Sequence, residues 1–453
     1  MGIFKRKPKS AKTPSKARTV QSTVPQPIQR ETRRRVETRA LPKFQSTASD
    51  QPSARSGDHL AAMRGKIRHV FTPSQPVGDR RMFAGRERTL QTLIRAIEDQ
   101  RLHIVMYGER GIGKTSTLHM LTQAAHEARY IVIYTSCGAN SNFDDTFRAA
   151  AHDIPILFHS GFAPTAEQSE KGATLSDLMP SSPVTPRQFS DLCAKLTGTR
   201  VLIVLDEFDR CEAGSFRRDI AELIKNLSDR LGRVQLVLAG VAADLTGLVQ
   251  HIPSIRRNIL ALRIPKMTDE EILQIVTNGE REIGLVFDPA ANDLIVAVSR
   301  GSPYIANLLC HHAAQSALSN GRTTVLGADV SLSVDLVQIE LQSRIGKNVS
   351  SRVRNLVDQG HGSDLDIAAR TALSAEGAFG VPDIQKHNDV DANKARRILE
   401  RLLDQEVLVP SEEDETGEKY EFVEEGLPTY LWITAAQENL RPTAPAKPAT
   451  RAS

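Results

Sequence analysis

Cysteine is scarce. The four in the chain, Cys137, Cys193, Cys211 and Cys310, are scattered and show no paired metal spacing. That excludes a disulfide-stapled secreted scaffold and points to a reduced, cytoplasmic protein. Long apolar runs are also lacking, so no membrane-spanning segment and no membrane partner is expected. Met1 to Arg6 leads into Lys7 and Pro8 rather than an apolar stretch, which argues against a secretory leader. Gly2 follows Met1, but Arg6 stands where a myristoylation pattern needs Ser or Thr.

Acidic residues are few at the start. Residues 1–60 hold 14 Lys/Arg against 4 Asp/Glu, a surplus of +10, so the remainder carries −6 of the net +4. The first 62 residues, rich in Ser, Thr, Pro, Lys and Arg, cannot bury enough apolar surface to fold alone. Lys5-Arg6-Lys7 and Arg33-Arg34-Arg35 either contact nucleic acid or another acidic surface, or only keep the chain soluble.

Gly108-Glu109-Arg110-Gly111-Ile112-Gly113-Lys114-Thr115 carries the most information. It has the spacing of a phosphate-binding loop, with an apolar strand, Leu102 to Tyr107, before it and a helix from Ser116 after it. Glycines let backbone N–H groups approach phosphate oxygens, and the helix N-terminus adds partial positive charge. In this pattern Lys114 reaches the β- and γ-phosphates and the Thr115 hydroxyl ligates Mg²⁺; the expected cofactors are ATP and Mg²⁺. Val201 to Leu205, five apolar residues, precede Asp206 and Glu207. At the carboxyl end of a buried strand, Asp206 is expected to hold the metal through water and Glu207 to polarise the attacking water. Asp209 and Arg210 read as a local ion pair or cap.

Strands at 129–136, 201–205, 234–239 and 260–265 alternate with helices. The expected fold is α/β, a parallel sheet covered on both faces. Residues 161–186, rich in Ser, Thr and Pro, read as a mobile insertion rather than core. From Thr268 strands should stop, and helices continue to about 346, interrupted at Gly301-Ser302-Pro303. His311 and His312, adjacent on one helix, face different ways and are not expected to share a metal. Beyond 364, three helical segments precede Val407-Leu408-Val409 and Tyr420 to Val423, which flank a turn at Gly417 and read as a hairpin. That is the winged-helix order.

With these motifs, Phe83-Ala84-Gly85-Arg86-Glu87 ahead of them, and Pro253 to Asn258 and Ile264 to Thr268 behind, residues 70–435 resemble a bacterial AAA+ ATPase of the origin-recognition-like and STAND-like branch. The resemblance implies a basic tail at 1–62, a nucleotide-binding domain at 63–266, a helical lid at 267–346, a winged helix at 347–436 and a tail at 437–453. It places Gly85 and Arg86 near the adenine, and Pro303 with its turn over the nucleotide held by Gly108 to Ser116. It makes Arg256 or Arg257, with Arg257 preferred, a finger reaching the γ-phosphate in a neighbouring subunit of an ATP-bound homo-oligomer. Otherwise these two arginines form surface ion pairs.

Two departures bear on rate. The strand at 234–240 ends Leu-Ala-Gly-Val-Ala, without the polar residue that many such ATPases use to position water, and Tyr304 replaces a γ-phosphate-sensing Arg. The resemblance therefore implies a slow ATPase or nucleotide-gated switch. Two partners stay open. Lys394, Arg396, Arg397 and Arg401, with the basic tail, suit double-stranded DNA. The acidic wing, Glu412, Glu413, Asp414, Glu415 and Glu418, opposes DNA and suits an unknown protein partner or the lid itself. A small-molecule kinase fits poorly, because no second-substrate site is legible.

Overall fold

The computed structural model describes residues 59–440 except 74, 162–164, 166–171, 213, 231, 241–252, 376 and 412–416, with the backbone alone at 61 and 253–255. The expectations for 1–58, for the chain past 440, and for Glu412, Glu413, Asp414 and Glu415 lie outside the described residues.

After α1 (His59–Val70) and α2 (Glu87–Glu98), the chain alternates strand and helix. β1 (His103–Tyr107) leads into α3 (Lys114–Glu127), and β2 (Ile131–Ser136) into α4 (Phe143–His152) and α5 (Pro186–Cys193). β3 (Val201–Asp206), α6 (Gly214–Asp229), β4 (Val234–Gly240) and β5 (Ile259–Arg263) complete the sheet. Its order is β2-β3-β4-β1-β5, all parallel, the α/β arrangement expected of an AAA+-type P-loop fold. β3 and β4 are buried throughout because both faces are covered. Leu93, Ile97, Leu118 and Leu121 of α2 and α3 cover one face, and Phe147, Phe189, Ile220 and Ile224 of α4 to α6 the other. β2 was expected to be buried, but only Ile133 is, because the strand lies at the sheet edge.

The Ser/Thr/Pro-rich stretch is not loose throughout. Leu175 and Val184 sit in the core beneath α4, Pro155 bridges to Thr174, and the Val184 amide donates to Asp144 Oδ1 at 2.7 Å. Two apolar anchors outweigh a loop-like composition, since each fully buried side chain contributes about 1.5–3 kcal/mol.

The lid begins with α7 (Asp269–Ile283), capped reciprocally by Thr268 and Glu271. Strands do not stop there: β6 (Val286–Phe287), α8 (Pro289–Ser299), α9 (Pro303–Ser319), β7 (Thr324–Val325) and α10 (Gly327–Gln342) follow, with β6 and β7 paired in parallel. The helix α1 shares this core, not the sheet's. Phe71, just past its end, packs edge-on against Phe287, and its ring fills the space a Cβ on Gly279 would need.

Next come α11 (Lys347–Asp358), α12 (Gly362–Ala375), α13 (Val381–His387), α14 (Ala392–Asp404) and the antiparallel β8 (Leu408–Pro410) and β9 (Tyr420–Phe422). A further helix, α15 (Leu427–Leu440), was not expected and runs past the boundary placed at 436. Lid and C-terminal unit share one continuous core, in which Leu309 and Val334 join Leu365, Leu402 and Leu431.

His103 on β1 generates a test. It is buried, its Nδ1 accepts the Leu236 amide at 3.0 Å, and burial lowers its pKa from 6.5 to about 4. Above pH 6.5 the ring is neutral folded or unfolded. As pH falls from there toward 4, only the unfolded chain gains the proton. This one group should remove on the order of 2 kcal/mol of stability between pH 7 and pH 5. His103→Asn should lose that share of the slope in urea titrations at the two pH values. Parallel slopes for variant and parent would refute the assignment; the lost bond to Leu236 costs the same at both.

Candidate functional site

The loop from Gly108 to Thr115 joins the C-terminal end of β1 to α3. Gly111 and Gly113 adopt φ of 75° and 98°, a region where a Cβ is strained. Gly111 is also crowded, since a Cβ there would lie 3.1 Å from that of Tyr304. The turn that caps α9 through Ser302 thereby packs Pro303 and Tyr304 on the loop. Lys114 Nζ donates to the carbonyls of Gly108 and Glu109 at 2.6 and 2.9 Å. Burial lowers its pKa, and the charges of Glu425, Asp209 and Asp206 oppose that shift.

Asp206 and Glu207 end up side by side but face different partners. Buried Asp206 accepts from Thr115 Oγ1 at 2.9 Å and from the Tyr134 hydroxyl at 2.5 Å through Oδ2, and from the Glu207 amide at 2.9 Å through Oδ1. Burial, and then the bond to Asp206, push the Tyr134 hydroxyl far above its usual pKa, so it stays a donor. Glu207 has φ of 54°, and its Oε2 accepts from Ser136 Oγ at 2.9 Å and pairs with Arg210 Nη1 at 2.9 Å. Arg210 is thus the local ion pair expected. Asp209 is not its partner: it faces the end of β4, where a Cβ on Gly240 would lie 2.4 Å from its Oδ1.

Arg86, at φ 67°, is buried. Its amide donates to Glu271 Oε1 at 3.2 Å and its Nη2 to the Ile112 carbonyl at 3.3 Å, while the Gly85 amide donates to Gln274 Oε1 at 2.9 Å. The pair therefore ties the loop to α7. Arg86 Nε is buried without a partner, and burial lowers the pKa of the guanidinium.

Arg110 to Ser116, Arg86, Asp206, Glu207 and Pro303 line one cavity of about 340 Å³, with Val77, Met82 and Ile275 among its apolar walls. Gly85, Gly108 and Glu109 do not line it. Arg256 and Arg257 lie apart from it, exposed on the turn Pro253–Asn258. The sequence pattern gives Tyr134, Ser136 and Glu425 no role at the site, and reads Asp209 only as a local ion pair or cap. Ser136 is level with Asp206 in the β2–β3 register, a relation readable only once strand order is known. Glu425 accepts from the Arg110 amide at 2.8 Å across 315 residues of chain, and nothing local signals it.

Among solved structures, the chain is similar to a Walker-type ATPase of Pyrococcus abyssi, at 14% identity and TM-score 0.48 over 80% of this chain and 99% of that one. It is similar to Cdc6p from Pyrobaculum aerophilum, at 17% and 0.43 over 83% and 99%. It is also similar to the Aeropyrum pernix Orc1 protein, solved in complex with DNA, at 17% and 0.41 over 81% and 96%. No curated protein matches the chain. Residues 75–329, more than half of the chain and including the loop, Asp206, Glu207 and the lid turn, match novel STAND NTPase 1. The chain belongs to the novel STAND NTPase 1 family of P-loop NTPases.

Proposed function

We propose that the protein is an Mg²⁺-dependent ATP-binding switch that hydrolyses ATP slowly. The observation that carries this is the divided carboxylate pair: Asp206 sits on Thr115 at 2.9 Å, while Glu207 is turned to Ser136 and Arg210. The residues fit a nucleotide and its metal. Thr115 and Asp206 are hard oxygen donors of the kind Mg²⁺ takes. Lys114, resting on its own loop's carbonyls, and Arg86, with a buried unpartnered N–H, are cations that an anionic ligand would satisfy. Bound Mg²⁺ neutralises phosphate charge. Lys114 would hold the β- and γ-phosphates, and Glu207 would orient water after leaving Arg210. That exchange, with only Gly240 where a polar strand end would help, supports slow turnover. The exposure of Arg256 and Arg257 supports a finger acting on a neighbouring subunit of an ATP-bound homo-oligomer.

Lys114→Ala should weaken ATP binding at least about tenfold in a fluorescent-nucleotide titration, the low end for a charge-assisted bond. Glu207→Gln should keep ATP and lose turnover. Arg210→Ala should speed turnover in a steady-state phosphate assay. Undiminished affinity in the first variant removes the nucleotide reading, and an unchanged rate in Arg210→Ala removes the restraint on Glu207.

We read residues 347–436 as a winged helix that works within the chain. Its packing supports this: Trp432 Nε1 donates to the Val298 carbonyl at 2.9 Å, Arg300 stacks over the Trp432 ring at 4.6 Å, and Lys266 Nζ donates to the Leu373 carbonyl. A second reading, duplex DNA binding, is favoured by Lys394, Arg396 and Arg397, all exposed on α14; Arg401 instead pairs with Asp364. If DNA is the partner, Lys394→Glu with Arg397→Glu should abolish salt-sensitive duplex binding in an anisotropy titration. Duplex binding that survives those changes, or that the parent protein lacks, leaves the intramolecular role.

A further inference from the structure

Glu425 lies in the turn between β9 and α15, far in sequence from the nucleotide site, yet its Oε1 takes the Arg110 amide at 2.8 Å and its side chain lines the cavity. Arg110 is the third residue of the phosphate loop, whose backbone N–H groups are built to meet anionic oxygens. A carboxylate on such an amide uses the same charge-assisted bond that a phosphate oxygen would make.

The placement is fixed from both sides. The neighbouring Glu424 accepts the Gly346 amide with both carboxylate oxygens at 3.1 Å, which anchors the turn to the start of α11. On the other side α15 is held to the lid helix α10 by Gln437 Nε2 donating to Asp335 Oδ1 at 2.6 Å, and to the lid's Val298 by Trp432. Across the loop, Lys266 reaches the Glu109 carboxylate at 3.4 Å and also the Leu373 carbonyl of α12. Both variable residues at the loop's entrance are therefore engaged.

Glu425 also acts on the loop's lysine. Burial is the main influence on Lys114, and among the charges that favour its ammonium form Glu425 comes first, ahead of Asp209 and Asp206. Lys114 is the residue that in this motif reaches the β- and γ-phosphates. Glu425 bonds the Arg110 amide and none of the amides that open α3.

We propose that Glu425 is an internal phosphate surrogate that sets nucleotide specificity: seated on the Arg110 amide, it lets the closed protein take a nucleoside diphosphate and repels the additional phosphate of a triphosphate. Triphosphate binding then requires the turn at 424–426 to swing away, which gives the C-terminal unit a direct report of loop occupancy. A ligand shifts such an equilibrium only by its differential affinity for the two states, so discrimination and turn release are one quantity. This rests on the nucleotide-switch reading above.

The experiment is a titration of the full-length protein with Mg·ADP and with a non-hydrolysable Mg·ATP analogue, for the parent, Glu425→Gln, Glu425→Ala and Lys114→Ala. Hydrogen exchange is followed over residues 420–430 in the same samples. Glu425 is exposed, so neither substitution at 425 threatens the fold. Glu425→Gln should raise the affinity for the triphosphate relative to the diphosphate at least about fivefold, the lower limit of usual coupling between sites. In the parent, the triphosphate should speed exchange in the turn more than the diphosphate does, and Glu425→Ala should remove that difference. An unchanged or lowered ratio in both variants, with binding still dependent on Lys114, overturns the surrogate and leaves the switch reading standing. Binding that is absent, or indifferent to Lys114→Ala, overturns both.

Discussion

Asp206 is the group on which the geometry of the site turns. Leaving a carboxylate buried and unpaired costs several kcal/mol, so its three donors are structural requirements as much as functional ones. Those donors come from α3, from β2 and from its own next amide, which fixes the helix that opens the phosphate loop against two adjacent strands. Glu207 inherits the consequence. With Asp206 committed to Thr115, the chain turns through a left-handed residue at Glu207 and carries the second carboxylate to Ser136 and Arg210. One buried carboxylate therefore sets both the Thr115–Asp206 contact and the direction in which the second acid points.

How much of this could be read beforehand depended on range. The loop and the β3 carboxylates were legible because glycine spacing, a five-residue apolar run and a strand-end acid are local constraints. The capped start of α7 at Thr268 was legible for the same reason. Tyr134 and Ser136 were visible as strand residues, but their place beside Asp206 follows from the order β2-β3, which no local pattern contains. The paired strands β6 and β7, two residues each, are shorter than any periodicity can register. The helix α15 holds Tyr430, Trp432, Ile433 and Thr434 in sequence proximity, weak helix formers whose helix is fixed by burial of Leu431 and Ile433. Composition misled at 172–186, where capping by Thr174 and Thr185 uses the very residues that signal a loop.

The phosphate loop is where three parts of the chain meet. Arg86 brings α7 to it through Glu271, Pro303 and Tyr304 press the turn of the lid on its glycines, and Glu425 brings the C-terminal unit. Each of these hydrogen bonds has a charged partner and is worth about 1.5–3 kcal/mol net, so no single one locks the arrangement. A loop held by several weak contacts from different elements responds to whatever fills it, which is the physical requirement for a switch of small energy gap.

The cores limit how large that response can be. Lid and C-terminal unit share one continuous apolar core, and separating them would expose many fully buried side chains, each costing about 1.5–3 kcal/mol. Coupling between ligand sites typically amounts to about 1–3 kcal/mol, too little to open such a core. The turn at Glu424, Glu425 and Gly426 can move within that range, because its ties are solvent-exposed hydrogen bonds rather than packed side chains. Under the proposed switch, nucleotide-driven motion in the isolated chain would be confined to the turn and the helix end beside it. A larger rearrangement needs a further binding energy, such as that of a second subunit or a bound partner, to offset the exposed core.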